Sequence, residues 1–412
     1  MITIILCKGK GVDSEELNLF NKEKVADIHL FERFLIGLSN QGFNESVIIS
    51  DEDCLLNELH YRYPSSRVQR KSKIDDLLIN RDILIVQNNV VANKKQISNL
   101  LEVVNDYNQS FIGKNDKEEK CGIVFLKSSD IKSNNLEINN ISSLNGKVKE
   151  IILDDPPKKI SVEEINSNAA RDFLFNHISK NVSGWVSKNI NSKISIPISK
   201  ILVKMNFHPN WITFFVGCIG ISCGFFYASN SPIVAAIILQ LSTILDRCDG
   251  EVARIRLKES KFGQWFDTAL DQISYFSMFV GISICLNNPK FFTINPEINI
   301  LRQISILNVL LYIIFLTIIL FFMLRRTKNG SLAYYPLEID RIVPLENRSL
   351  FYKIMTKFRF LAKREFFSPA MIIVSLIGYE FATLMAFVIL FFGIIHLAAD
   401  FLEARKRIDI TY

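Results

Sequence analysis

The feature of this sequence that most restricts its fold is a run of 35 positions, 211–245, that contains no Asp, Glu, Lys or Arg. Only the turn-like Asn230-Ser231-Pro232 interrupts the run, which therefore predicts two membrane helices joined by a tight turn. Further uncharged stretches follow at 272–289, 303–324, 366–379 and 381–399. Together these stretches predict a membrane region of about six spanning helices.

The basic residues near these stretches predict how the helices are oriented. Lys and Arg at helix ends stay on the cytoplasmic side of a membrane. If six helices cross the membrane in alternating directions, most of the basic residues near the helix ends lie on the same side of it. These residues are Arg254, Arg256, Lys258, Lys261, Arg325, Arg326, Lys328, Lys357, Arg359, Lys363, Arg364, Arg405, Lys406 and Arg407. The connections on the other side carry few charges. We therefore expect a multi-pass protein of the cell membrane with both termini in the cytoplasm.

Residues 1–155 have a different sequence pattern. Short apolar runs alternate there with helical patterns near 27–41 and 93–105. The runs are rich in β-branched residues and lie at 2–6, 46–50, 83–87 and 122–126. Such alternation is typical of a parallel sheet with helices on both faces. The apolar run at the N-terminus meets Lys8 and Lys10 at once, so we expect a first strand there rather than a signal peptide.

The segment 156–207 links the two regions. Its apolar residues, among them Phe173, Trp185 and Ile190, recur every three or four positions between lysines such as Lys193 and Lys200. The pattern indicates amphipathic helices on the cytoplasmic membrane surface, or else soluble helices packed on the N-terminal domain. The expected domains are 1–155, 156–207 and 208–412.

Composition argues against two classes of protein. The net charge of +6 is small for 412 residues, and the basic residues do not interleave with aromatic ones, so no nucleic acid partner is expected. The seven cysteines have no spacing suited to structural zinc and are expected to be reduced.

Four aspartates dominate the stretch 245–271, LDRCDGEVARIRLKESKFGQWFDTALD. Asp246 and Asp249 are three positions apart at the end of one predicted helix, and Asp267 and Asp271 are four apart at the start of the next. Each pair therefore projects from one helix face. The alternative for either pair alone is a cap or a solvated helix end.

Converging carboxylates repel one another unless cations or protons intervene. Carboxylate ligands favour hard divalent ions such as Mg²⁺ or Mn²⁺, and two such ions can bridge a diphosphate. The small residues Gly250, Ala253 and Gly263 would let a nucleotide approach the backbone closely. Arg254 could bind a phosphate.

This stretch resembles the signature of the CDP-alcohol phosphotransferase family, D-x2-D-G-x2-A-R-x8-G-x3-D-x3-D, and matches all eight of its fixed positions. The resemblance implies transfer of a substituted phosphoryl group from a CDP-linked donor to an alcohol, with release of CMP. It implies that Asp246, Asp249 and Asp267 bind two divalent ions, and that Asp271 lies close to them and acts as the base. Gly250, Ala253, Arg254 and Gly263 would bind the donor.

Residues 168–213 are similar to the segment before the first membrane helix in family members that carry an N-terminal nucleotidyltransferase-like domain, including the di-inositol-phosphate-phosphate synthases. Pro209, Asn210 and Thr213 match a Pro-Asn and a Thr near the nucleotide in those relatives, which assigns Asn210 and Thr213 to the donor. The family also implies a homodimer. His208, beside this motif, could serve the nucleotide or only packing.

In the same comparison, the N-terminal domain departs from active cytidylyltransferases. Their L-x-A-G-x-G-x-R motif is replaced by ILCKGKGVD at 5–13, and Gln87, Asn88 and Asn89 stand where a metal-binding Asp is expected. Amides are poor substitutes for a carboxylate on Mg²⁺. A degenerate domain and an active cytidylyltransferase, which would make the membrane enzyme bifunctional, both remain open.

The acceptor site is the least determined part. Arg325, Arg326, Lys363 and Arg364 are candidates for binding a phosphate on an acceptor such as inositol phosphate, but orientation in the membrane alone would also explain them. The donor could be CDP-diacylglycerol, CDP-archaeol or a CDP-polyol. A transporter and a catalytically inactive scaffold are the competing functions.

Overall fold

A computed structural model describes residues 2–6, 20, 24–26, 28–43, 45–49, 67–71, 81–134, 148–164, 168–180, 187–292, 296–327, 330, 332, 334–344, 350, 352–353 and 364–408. The chain divides into two compact units, Met1–Asn181 and Val182–Tyr412. The segment 156–207 is thus shared between them. Cys7 and Cys54 lie outside the described residues, and the five described cysteines are free thiols.

The first unit contains eleven described strands and four described α-helices. The strands are β1 (Ile2–Leu6), β2 (Lys24–Val25), β3 (Ile28–His29), β4 (Glu45–Ile49), β5 (Arg67–Lys71), β6 (Ile83–Gln87), β7 (Val90–Val91), β8 (Phe111–Lys114), β9 (Lys120–Leu126), β10 (Lys149–Ile152) and β11 (Lys158–Lys159). The helices are α1 (Leu30–Ser39), α2 (Lys94–Asp106), α3 (Ser128–Asn134) and α4 (Ala169–Lys180).

Seven of these strands form the main sheet, in the order β10-β8-β9-β6-β1-β4-β5. Strands β1, β4, β5 and β6 pair in parallel, as the sequence predicts for a βα alternation. Strand β9 runs antiparallel to both of its neighbours, so the prediction of a wholly parallel sheet is wrong there. A short apolar run such as that of β9 specifies burial and says nothing about strand direction.

The core of this unit lies between the sheet and the two helices α1 and α2. Phe31 and Phe34 of α1 and Leu100 of α2 are buried in one cluster with Val86 and Phe125 of the sheet. A side chain at Gly37 would collide with Ile97, which shows how closely the two helices approach. Burial of Cys121 in β9 raises the pKa of its thiol to about 11, so this group stays protonated at neutral pH.

The second unit is helical among its described residues. A π-helical turn, Ser187–Asn191, leads into α5 (Ser192–Lys204). The α-helices that follow are α6 (Pro209–Ala228), α7 (Pro232–Ile255), α8 (Lys261–Asn287), α9 (Pro296–Phe322), α10 (Tyr334–Ile342), α11 (Arg364–Ile377) and α12 (Tyr379–Ile408). The uncharged stretches of the sequence lie largely within these helices, and the stretch 211–245 is divided between α6 and α7.

Four of the segments in this unit are long and apolar enough to cross a membrane: Pro209–Ala228, Lys261–Asn287, Pro296–Arg325 and Tyr379–Leu402. Helix α7 begins as an apolar helix but carries charged residues from Asp246 onward. Helix α11 has 14 residues, of which Phe366–Ile377 form a shorter apolar segment. This arrangement agrees with the predicted order of regions, in which a helical membrane domain follows an α/β region.

Helices α6 and α8 pack against each other at their glycines. A side chain at Gly224 would collide with the backbone of Ser277, and one at Gly281 would collide with the backbone of Gly224. Small residues of this kind let membrane helices approach to backbone contact. The two helices that flank the aspartate-bearing end of α7 are thereby held at a short distance from each other.

Helix α5 packs on α7 through serines. Ser192, Ser195 and Ser199 are buried, whereas Ile194 and Ile201 are exposed. The amphipathic pattern of this helix is therefore oriented with its serines toward the protein and its isoleucines and lysines outward.

Candidate active site

The four signature aspartates lie where α7 ends and α8 begins. Helix α7 continues to Ile255, and α8 starts after Ser260, whose hydroxyl caps the helix by accepting a hydrogen bond from the Gly263 amide at 3.0 Å. Asp246, Asp267 and Asp271 each offer an oxygen within 4.8 Å of the others. Two consecutive helices thus bring three carboxylates into one cluster.

Asp249 lies beside this cluster and is held by neighbouring groups. It is buried, and its carboxylate accepts hydrogen bonds from the Thr213 hydroxyl on α6 and from the amide of Gly250. The Thr213 hydroxyl also lies 3.1 Å from the carbonyl oxygen of Pro209. This contact connects the Pro-Asn and Thr motif at the start of α6 to the signature aspartates.

The acidic cluster has the properties of a divalent metal site. The Oδ1 atom of Asp267 is buried and has no hydrogen-bond partner among the described residues. Buried oxygen atoms without partners are costly unless a cation or water satisfies them. An all-carboxylate set also suits hard ions that prefer oxygen ligands. The residues present therefore fit a divalent cation held by Asp246, Asp267 and Asp271, with Asp249 adjacent.

Arg364, the first residue of α11, contacts the acidic cluster directly. Its Nη1 atom lies 3.0 Å from Asp246 Oδ2 and also donates to Asp271 Oδ1. Its Nε atom donates to the Thr243 hydroxyl at 3.1 Å. The side chain is 16% exposed. Arg364, which the sequence predicts to bind the acceptor, is thus bound to two of the signature carboxylates.

Of the other predicted acceptor residues, Arg325 is the one whose side chain the structure describes, and it does not join this cluster. Arg325 is exposed, and its guanidinium lies 4.6 Å from the centroid of the Phe321 ring. The Arg326 side chain and Lys363 lie outside the described residues.

A cleft of about 450 Å³ opens beside Asp249 and Asp267. Its walls come from α6, from the end of α7 and from the start of α8. All six residues predicted to bind the donor line it. The lining residues are Pro209, Asn210, Thr213, Asp249, Gly250, Ala253, Arg254, Lys258, Glu259, Ser260, Gly263, Gln264 and Asp267.

Small residues keep this cleft open. A side chain at Gly263 would stand 3.1 Å from Ser260 Oγ and 3.3 Å from Asn210 Oδ1, and one at Gly250 would stand 3.3 Å from the Arg254 guanidinium. The volume of the cleft falls in the usual range of small-ligand sites. A nucleotide-sized ligand with negative charge would meet Arg254 and Lys258 there.

His208 caps α6 instead of lining the cleft. Its Nδ1 atom accepts a hydrogen bond from the Asn210 amide at 3.3 Å, and Pro209 occupies the first position of the helix. This geometry favours the packing role over a role at the nucleotide.

Sequence reasoning missed several contributors to the site. Lys258 and Gln264 line the cleft, and both lie inside the signature at its variable positions. Thr243 stands one helical turn before Asp246, a spacing that could have indicated a shared helix face.

Part of the chain matches a known protein family. Residues 206–395 match the model of the family described as CDP-alcohol phosphatidyltransferase. The second unit contains a CDP-alcohol phosphatidyltransferase domain. The match begins just before Pro209 and includes all four aspartates and Arg364.

Several curated proteins are similar to parts of this chain. The "Bifunctional IPC transferase and DIPP synthase" of Aquifex aeolicus is 36% identical over 118 residues, which cover 28% of this chain and 27% of that protein. The protein of the same name from Archaeoglobus fulgidus is 43% identical over 115 residues, 27% of this chain and 22% of the relative. The "Archaetidylinositol phosphate synthase" of Pyrococcus horikoshii is 32% identical over 98 residues, 23% of this chain and 52% of the relative. The chain thus matches about a quarter to a half of the length of these relatives.

Among solved structures, a putative glucose-1-phosphate thymidylyltransferase from Bacillus anthracis is similar at a TM-score of 0.28, with 11% identity, over 45% of this chain and 98% of that one.

Proposed function

We propose that this protein is a membrane enzyme that moves a substituted phosphoryl group from a CDP-linked donor to the hydroxyl of an alcohol and releases CMP. One observation carries the proposal: an acidic cluster suited to divalent metal adjoins a cleft lined by the six residues predicted to bind the donor. The transfer of charged groups next to carboxylates requires cations, and the cluster offers ligands for them.

In this mechanism the nucleotide occupies the cleft. Asn210 and Thr213 contact the donor from α6, while Gly250, Ala253 and Gly263 leave room for it. Arg254 binds its diphosphate, with Lys258 nearby. Asp246, Asp249, Asp267 and Asp271 would hold two Mg²⁺ or Mn²⁺ ions, which neutralise the diphosphate and make the acceptor hydroxyl easier to deprotonate when bound.

The chemical step is a substitution at the β-phosphorus of the donor. Asp271 takes the proton of the acceptor hydroxyl, and the oxygen of that hydroxyl forms a bond to phosphorus. The bond from this phosphorus to the oxygen bridging the two phosphates breaks, and CMP leaves with the electron pair. The donor is CDP-diacylglycerol, CDP-archaeol or a CDP-polyol, and inositol phosphate is the first acceptor to test because relatives are named for inositol phosphate products.

The remaining features of the proposal concern topology and assembly. Six helices, α6–α9, α11 and α12, would span the cell membrane, with both termini and the site in the cytoplasm. The first unit would be a nucleotidyltransferase-like domain that has lost activity, and the protein would be a homodimer. Reporter fusions after residue 412 and in the turn at 230 should report opposite sides of the membrane if six helices cross it.

The deciding experiment measures CMP release by the purified protein in detergent with Mg²⁺ or Mn²⁺, the three donor classes and a panel of alcohols including inositol phosphate. Asp271→Asn should abolish release, whereas Asp106→Asn, the same change at an exposed position in the first unit, should leave it intact. Absence of metal-dependent CMP release from the unmodified protein across the panel would favour a transporter or an inactive scaffold.

A further inference from the structure

Arg364 places a positive charge inside the acidic cluster. Its guanidinium bridges Asp246 of α7 and Asp271 of α8, two of the three carboxylates that converge there. The same side chain is anchored by the Thr243 hydroxyl at 3.1 Å and lies 3.5 Å from the Ser242 hydroxyl. A planar guanidinium held at several points is a fixed cation rather than a mobile one.

This position coincides with atoms that a metal would use. The arginine binds Asp246 Oδ2 and Asp271 Oδ1, which are carboxylate oxygens of the kind that divalent ions require. Asp267 Oδ1, by contrast, has no hydrogen-bond partner among the described residues and remains available. The arginine and a divalent ion therefore draw on overlapping sets of ligands.

The charges at the site predict how loss of the arginine would change metal binding. The guanidinium offsets one of the negative charges that the four aspartates carry when they are ionised. Removal of the arginine leaves that charge uncompensated, which increases both the mutual repulsion of the carboxylates and their attraction for Mg²⁺ or Mn²⁺.

We propose that Arg364 is a positioning residue that serves as a built-in counter-ion: it holds Asp246 and Asp271 together before metal binds and competes with divalent cations for their oxygens. The proposal rests on the metal site of the proposed function. It assigns Arg364 to the carboxylates and not to a phosphate of the acceptor.

The experiment measures Mn²⁺ binding to the full chain in detergent by electron paramagnetic resonance, without substrate. Arg364→Gln should lower the dissociation constant for Mn²⁺ by at least about tenfold, because one nearby positive charge is removed. Arg341→Gln removes the same charge from a side chain that is 83% exposed on α10, and should leave the constant within about twofold of the unmodified protein. The Mn²⁺ concentration that half-activates CMP release should fall in parallel in Arg364→Gln.

A thermal melt separates this role from a purely structural one. Metal-free Arg364→Gln should melt below the unmodified protein, and saturating Mn²⁺ should raise its melting temperature by more than it raises that of the unmodified protein. If Arg364→Gln does not yield folded protein, Thr243→Val removes one anchor of the guanidinium and should tighten Mn²⁺ binding by about twofold to fivefold.

Equal or weaker Mn²⁺ binding in the folded variants would overturn the proposal, as would failure of both the unmodified protein and Arg364→Gln to bind Mn²⁺. Tighter binding in Arg364→Gln would uphold it even if no donor and acceptor pair gave CMP. The role of the arginine can thus be judged separately from the transfer reaction.

Discussion

The Ser195 hydroxyl on α5 donates a hydrogen bond to Glu251 of α7 over 2.7 Å. The hydroxyl of Ser199, one turn further along α5, donates to the other carboxylate oxygen at the same distance. Glu251 is fully buried, and the Nε atom of Arg247 lies 3.8 Å from it. The helix before the membrane domain is therefore attached to the aspartate-bearing helix by a satisfied buried carboxylate.

Removal of both hydroxyls should destabilise the membrane unit. In the double variant Ser195→Ala, Ser199→Ala, the Glu251 carboxylate stays buried without its two donors, at a cost of about 2 to 6 kcal/mol in the free energy of unfolding. A thermal melt in detergent measures the loss. The control is Ser229→Ala, an exposed serine at the end of α6, which should melt close to the unmodified protein. An unchanged melting temperature in the double variant would show that these bonds contribute nothing net.

The cleft should lose its nucleotide when a larger side chain fills it. Ala253→Leu places three extra carbon atoms in a space of about 450 Å³. We expect the dissociation constant for CMP, measured by calorimetry, to rise at least about tenfold. Mn²⁺ binding should be unchanged, because Ala253 contributes no oxygen ligand from its side chain. Ala269→Leu makes the same change at an exposed position of α8 and should alter neither. Normal CMP affinity in Ala253→Leu would place the nucleotide elsewhere.

The glycine contact between α6 and α8 should tolerate no side chain. Gly281→Ala would press a methyl group into the backbone of Gly224, and relief requires the helices to separate. We expect a loss of about 1 to 3 kcal/mol in stability, seen as a lower melting temperature. Gly393→Ala offers a matched comparison, since the atoms nearest to its added carbon belong to the Phe315 ring at 3.1 Å, and a ring can move. If both variants melt alike, the backbone contact does not limit the approach of α6 and α8.

The first unit should show no cytidylyltransferase activity. Gln87, Asn88 and Asn89 are buried at the end of β6 and carry amides at positions where the resemblance to cytidylyltransferases predicts a metal-binding carboxylate. Incubation of the purified chain with CTP, Mg²⁺ and phosphorylated alcohols should therefore release no pyrophosphate above that of protein-free samples. Release of pyrophosphate with formation of a CDP-alcohol would instead identify a bifunctional enzyme.

The aspartates could be placed from sequence because helical spacing fixes which residues share a face. Asp267 and Asp271 are four apart on α8, and a short connection after α7 brings Asp246 close to them. The donor-binding residues that line the cleft could be predicted from the same signature together with Asn210 and Thr213. Local spacing and short loops determine this part of the site.

Other features depended on contacts between distant parts of the chain. Arg364 lies 93 positions from its partner Asp271, and nothing in its surroundings distinguishes it from a residue that only orients the membrane helices. Glu251 lies within the signature at a variable position, and its partners Ser195 and Ser199 precede it by 56 and 52 positions. The direction of β9 likewise depends on its neighbours in the sheet.

The glycine contact between Gly224 and Gly281 also bears on how a donor reaches its site. Helices α6 and α8 meet backbone to backbone, so they behave as a fixed frame. Asn210 belongs to one wall of that frame and Gly263 to the other, whereas Ala253 belongs to α7. The walls from α6 and α8 are therefore held at a fixed separation, and the end of α7 is held to α5 through Glu251. A donor would enter a cleft whose width the helix packing has set in advance.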